Sequence, residues 1–170
     1  MLNKKFIWAI LTVAFTLTGT AMAQSSLPLK SLSGSSVDVQ AQRGKVVVLA
    51  IGAAWLPLSK DQAVITNKLV KKYAGKDVVI YWVSNDSDNA KSKNYATDEQ
   101  VKAFADKNKL TVSVLRDPAG LSLKKFNIDQ IPAFVILDKT GKQAGEAFGG
   151  LDPETDITPD IAAKIDTLLK

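Results

Sequence analysis

The sequence of 170 residues contains no cysteine and no histidine. Without a thiol there is no disulfide, no thiolate nucleophile and no resolving sulfur. Without imidazole the commonest general base is gone, and the two absences together remove the ligands that zinc, haem-thiolate and iron-sulfur sites rely on. A Ser-His-Asp or Cys-His hydrolase cannot be drawn from such a chain. One-signed charge is scarce as well: the formal net charge is +5, charged residues make up 23%, and the lysines are scattered. That pattern excludes the dense basic stripe of a nucleic-acid binder and the acidic composition of a disordered tail. No metal or cofactor is expected.

What is present begins with a leader. Lys4 and Lys5 precede an apolar run over 6–17, and Ala21-Met22-Ala23 stands ahead of Gln24, the three-part layout of a secretory signal. The run falls short of the roughly 20 residues of a membrane-spanning helix. The expectation is therefore a cleavable signal over 1–23 and a single domain over 24–170, periplasmic or secreted, with no stable membrane anchor after cleavage. Removal of the leader leaves +3. At 46% hydrophobic content the remaining chain is long enough for one real core.

Two short alternating stretches, 27–31 and 37–39, flank Ser33-Gly34-Ser35 and read as a hairpin. Lys45 then opens Val46-Val47-Val48-Leu49-Ala50-Ile51, a β-branched run of the kind buried on both faces of a sheet. Pro57 sits where a first helical turn would place it, with Val64, Ile65, Leu69 and Tyr73 recurring at helical spacing until Gly75. A second apolar strand over 78–83 completes a parallel βαβ unit. Residues 85–95 read as a polar surface loop that includes Asp86, and Thr97 with Gln100 as a capping box for a helix facing inward through Val101, Phe104 and Ala105. A short strand over 112–115, a turn over 117–120 and a short helix over 121–126 follow. The chain closes with a strand over 134–137, a turn at Lys139-Thr140-Gly141, a returning strand over 143–148 and a final helix. Thr158 is that helix's expected N-cap and Pro159 its first residue, with Ile161, Ile165, Leu168 and Leu169 inward.

A parallel βαβ half, a connecting helix, then a proline before an antiparallel hairpin and a terminal helix: this order resembles the thioredoxin fold. Gly44-Lys45-Val46-Val47-Val48-Leu49, leading into Ala53-Ala54-Trp55-Leu56-Pro57-Leu58-Ser59-Lys60, is similar to the active-site approach of TlpA/ResA-type redoxins. Ile131-Pro132-Ala133-Phe134-Val135-Ile136-Leu137-Asp138, followed by Gly141-Lys142, resembles the same family's cis-proline strand and turn. The resemblance implies an α/β thioredoxin fold: a central mixed sheet flanked by helices, an N-terminal β-hairpin, and an insertion after the second parallel strand. It also implies a peptide groove in which the backbone beside Pro132 pairs with an extended substrate.

The departure falls where that family carries its nucleophilic and resolving cysteines, for this chain has Leu56 and Ser59 there while Trp55 and Pro57 remain. A thiolate with a lowered pKa at a helix start, plus a second thiol one turn on, is what the exchange chemistry needs, and leucine supplies neither. Ser59 has no histidine to deprotonate it, and Lys60 beside it on a helix points elsewhere. No catalytic residue is assigned. The leading expectation is a non-catalytic or chaperone-like module whose Trp55, Leu56, Pro57, Leu58, Ile131 and Pro132 bind an extended peptide or envelope protein. The alternatives are the thiol-disulfide oxidoreductase or antioxidant redoxin of the family and a structural subunit docked on a redox-active partner. Neither nucleic acid nor a particular oligomeric state is implied.

Overall fold

The apolar run after Gly44 becomes β3 (Val46–Gly52), every residue of which is buried in the computed structural model, which describes residues 26–170. Alternation divides its side chains between two cores, with Val46, Val48 and Ala50 on one face and Val47, Leu49 and Ile51 on the other. Through α1 (Ser59–Lys72) the chain crosses to β4 (Val78–Ser84), which pairs parallel with β3 along its whole length. After α2 (Asp98–Lys107) comes β5 (Ser113–Arg116), parallel to β4. Beyond α3 (Leu121–Lys125), β6 (Ala133–Leu137) runs antiparallel to β3, and α4 (Thr158–Leu169) closes the chain. The leading hairpin, β1 (Pro28–Ser31) and β2 (Ser36–Asp38), adds its first strand antiparallel to β5. The six-stranded order is β2-β1-β5-β4-β3-β6, a mixed α/β sheet of the thioredoxin kind. The expected signal and its cleavage after Ala23 lie outside the described residues.

Three helices cover one face. Ile65, Leu69 and Tyr73 of α1 and its C-cap meet Val101, Phe104 and Ala105 of α2 and Ile161, Ala162 and Ile165 of α4 around Trp82. That indole is fully buried and stacks on Phe104 with centroids 4.9 Å apart. A buried ring of this size removes about 150–250 Å² from water, on the order of 5 kcal/mol at about 25 cal/mol per Å². Tyr73 fastens α1 to α4: its hydroxyl lies 2.9 Å from both the Ala162 carbonyl and the Asp166 carboxylate. Burial, reinforced by Asp166, pushes that phenol far above its ordinary range. The opposite face is covered by Leu27, Leu29 and Val39 from the hairpin region and by Phe126 at the end of α3.

The capping box at α2 is complete, with Thr97 accepting from the Gln100 backbone and Gln100 accepting from that of Thr97. Four expectations need correction. Val64 is 54% exposed, because the inward stripe of α1 is Gln62, Ile65, Thr66 and Leu69. Pro57 precedes the helix: Ser59 and Lys60 donate to the carbonyls of Leu56 and Pro57 in tight three-residue turns, and the α-helical ladder starts at Gln62 with Leu58 as N-cap. The N-cap of α4 is Ile157, not Thr158; Asp156 accepts from the Thr158 backbone instead. The strand expected over 143–148 is reduced to two bridges, Leu137 with Gln143 and Phe134 with Phe148. Between them the returning segment has two more residues than β6, and Gly145 at φ 89° takes up the excess.

Candidate functional site

The site grows from the C-terminal end of β3. Gly52 is the last strand residue because α1 starts against it: a Cβ there would lie 2.4 Å from Gln62 Oε1 and 2.9 Å from Ser59 Oγ. Gln62 is fully buried and its amide ties three elements together. Its Nε2 donates to the carbonyls of Ile51 (3.2 Å) and Ala133 (2.9 Å), and its Oε1 accepts from the Trp82 indole at 3.1 Å. Ile51 and Ala133 also face each other in the β3–β6 ladder. The segment 53–59 and the pair Ile131-Pro132 therefore leave the same end of the sheet side by side.

Ser59, at the position of the absent second sulfur, is fully buried and its Oγ accepts from the Ala53 backbone N–H at 3.2 Å. The hydroxyl is thus a local brace for the turn, while Lys60 next to it is exposed. A second brace holds the following amide: Ala54 N–H donates to both carboxylate oxygens of Asp86, at 3.1 and 2.9 Å. Asp86 was expected as a loop residue on the surface, yet it is fully buried. Its carboxylate accepts from Ser84 Oγ at 2.7 Å, and that hydroxyl accepts from Arg116 at 2.6 Å. Arg116 reaches on to the Ala96 carbonyl at 2.9 Å and to Asp98 at 3.0 Å. A polar relay, buried from Asp86 to Arg116, thus connects α2 to the tip: Arg116 pairs with Asp98, and the Asp86 carboxylate is satisfied by the Ala54 N–H and the Ser84 hydroxyl.

On this braced turn Trp55 is 50% exposed, Pro57 is exposed, and Leu56 and Leu58 are half-buried. Ile131 is half-buried and Pro132 buried, and the peptide bond joining them is cis. Neither the N–H nor the C=O of Ile131 has a hydrogen-bond partner among the described residues. Trp55 lines a groove of about 370 Å³ on the α2 side, shared with Lys60, Tyr95, Gln100 and Lys107. Sequence reasoning missed Gln62, Asp86 and the groove. Gln62 had a usable signal, since it stands three, four and seven residues before Ile65, Thr66 and Leu69 on the buried stripe. Asp86 had one in the resemblance, for it follows the second parallel strand near where ResA-type redoxins place a carboxylate, but with no thiol to titrate it reads as a loop or helix-start residue.

Chemically, the tip offers no atom for thiol exchange: a leucine side chain at the nucleophile's place and a committed hydroxyl at its partner's. What it does offer is a hydrogen-bonded, partly apolar turn at the sheet end where Ile131 has no backbone partner among the described residues.

Comparison with known proteins places this geometry. Thioredoxin-like protein YneN of Bacillus subtilis (strain 168) is 34% identical over 113 residues, which cover 66% of this chain and 62% of that protein. Thiol-disulfide oxidoreductase ResA of Bacillus thuringiensis subsp. konkukian (strain 97-27) is 28% identical over 118 residues, 69% of this chain and 63% of that one. The chain thus matches a little under two thirds of the length of these relatives. A solved structure of a candidate thiol:disulfide interchange protein DsbE from Chlorobium tepidum superposes with a TM-score of 0.71 at 20% identity, covering 85% of this chain and 94% of that one, a likeness of fold. The model of the AhpC/TSA family matches residues 18–143, and the chain belongs to that family as a thioredoxin-fold member without cysteine.

Proposed function

We propose that this protein is an exported binding module: a redoxin scaffold that holds an extended peptide or envelope protein at its former active-site tip and carries out no thiol-disulfide exchange. The observation that carries the reading is the state of the tip itself. Ser59 is buried and committed to the Ala53 amide, Leu56 replaces the nucleophile, and Trp55 is half exposed on the turn that leaves the same end of the sheet as Ile131, whose backbone N–H and C=O have no partner among the described residues. An extended peptide laid along Ile131 would gain main-chain hydrogen bonds by strand addition, with Trp55, Leu56, Pro57 and Leu58 receiving its side chains. Location outside the cytoplasm is part of the proposal, supported by the leader sequence over 1–23.

The names of relatives such as ResA favour a second reading, thiol-disulfide oxidoreductase, for which this chain has no sulfur nucleophile. Calorimetric titration of the purified protein with a panel of extended peptides separates the two, alongside an insulin-reduction assay. Saturable binding that Trp55→Ala weakens by tenfold or more, with no insulin reduction, supports the binding module. Absence of heat with every peptide refutes it, and turnover of insulin would establish the enzyme reading.

A further inference from the structure

The groove beside the tip has a chemistry of its own. It runs between Trp55 on the turn with Lys60 at the start of α1 and the face of α2 carrying Gln100 and Lys107, with Tyr95 at its side. The two aromatic rings are among the few large apolar groups exposed on the described surface, Trp55 at 50% and Tyr95 at 38%. Both lysines are exposed, and neither ammonium joins an ion pair or hydrogen bond among the described residues. Among the described residues the Trp55 indole N–H and the Tyr95 hydroxyl have no hydrogen-bond partner either. Among the described residues no Asp or Glu lines the groove. Of the three acids of α2, Asp98 pairs with Arg116, Asp106 with Lys102, and Glu99 is held at the first turn by hydrogen bonds to its own backbone and to Thr97, while Asp61 beside Lys60 lines a different depression against Asp156.

A single exposed lysine is an ordinary solvated charge. Two of them lining one concavity with two exposed aromatic rings and no counter-charge form a surface complementary to an anion that has apolar neighbours. We propose that the groove selects acidic extended segments of a protein partner, drawing a Glu or Asp carboxylate to Lys60 and Lys107 while an adjacent apolar or aromatic residue packs on Trp55 and Tyr95. The proposal rests on the peptide-binding reading above and names the class of peptide.

Calorimetry with two peptides, identical except that one carries Glu where the other carries Gln, tests it at 0.1 M and 1 M salt. Exposed charge pairs contribute factors of about two to five each, so the Glu peptide should bind about five- to twentyfold more tightly at 0.1 M. At 1 M salt, where the screening length is about 3 Å, the advantage should vanish. It should vanish also in Lys60→Gln/Lys107→Gln and survive in Lys45→Gln/Lys71→Gln, which makes the same change in net charge at exposed lysines outside the groove. Equal affinity for both peptides would overturn the acidic preference and leave the binding module standing. Equal loss in both double variants would reduce the effect to net charge and overturn the groove's role, and silence with both peptides would remove this proposal together with the reading beneath it.

Discussion

Replacing Gln62 by methionine keeps the side-chain volume and removes the amide that joins the tip helix to β3, β6 and Trp82. Three hydrogen bonds disappear, at 3.2, 2.9 and 3.1 Å. Each is worth about 1 kcal/mol net, and the loss is sharpened because the buried indole N–H of Trp82 is left without an acceptor, a cost of about 1–3 kcal/mol. The carbonyls of Ile51 and Ala133 belong to a paired ladder and suffer less. Allowing for the methionine's apolar burial, the expected destabilisation is about 2–4 kcal/mol. At about 2–4 °C per kcal/mol for a domain of this size, the melting midpoint should fall by roughly 5–15 °C. Urea unfolding followed by far-UV circular dichroism reads the change directly, with the midpoint shifted and the slope unchanged. A variant within about 0.5 kcal/mol of wild type would refute the claim that this amide fastens the tip to the sheet.

Gly52→Ala forces a Cβ to 2.4 Å from Gln62 Oε1 and should cost about 1–3 kcal/mol as overpacking, more than the roughly 0.4–1 kcal/mol gained from a stiffer unfolded chain; equal or greater stability by urea unfolding would contradict the close approach of α1 to the strand end. Asp156 is held down at about 2, chiefly by the hydrogen bond from Lys68 and then by those from Thr158. Because this lies below the unfolded carboxylate's value of about 3.9, its stabilisation is present above that value and is lost as pH falls from about 4 to 2. Thermal melts of wild type and Asp156→Asn should therefore differ at pH 6 and converge near pH 2, and a pH-independent difference would contradict the pairing. Leu56→Cys/Ser59→Cys should acquire insulin-reducing activity with dithiothreitol as electron source, since it restores a thiol pair at the start of α1; an inert double-cysteine protein would mean that the turn no longer has the family's geometry.

Much of the scaffold was legible because its signals are local. The continuous runs that became β3 and β4, the turn residues of the leading hairpin and the Thr97/Gln100 capping box each declare themselves within a few residues. The absence of cysteine was decisive for the same reason. Errors arose where a distant contact decides the outcome. Val64 has the right hydropathy and helical spacing, but the polar Gln62 takes the inward stripe because Trp82 and Ala133 offer it partners from two other strands. Asp86 looks like any loop carboxylate until Ala54, Ser84 and Arg116 are folded around it. The last strand failed to form because Gly145 lets two surplus residues bulge out of register, a length mismatch visible only once β6 is paired. The groove joins Trp55 and Lys60 to residues of the segment 95–108, which lie far along the chain, and no spacing rule reports it.

Whether the sulfur-free tip engages a chain decides what this protein does. Amide chemical-shift mapping of the isotopically labelled protein, titrated with an extended peptide containing glutamate and an aromatic residue, addresses this residue by residue. Progressive shifts are expected at Ala54, Trp55, Leu56, Leu58 and Ile131 together with Tyr95, Gln100 and Lys107 across the groove. Shifts confined to other surfaces, or an unchanged spectrum at saturating peptide, would contradict peptide binding at the tip.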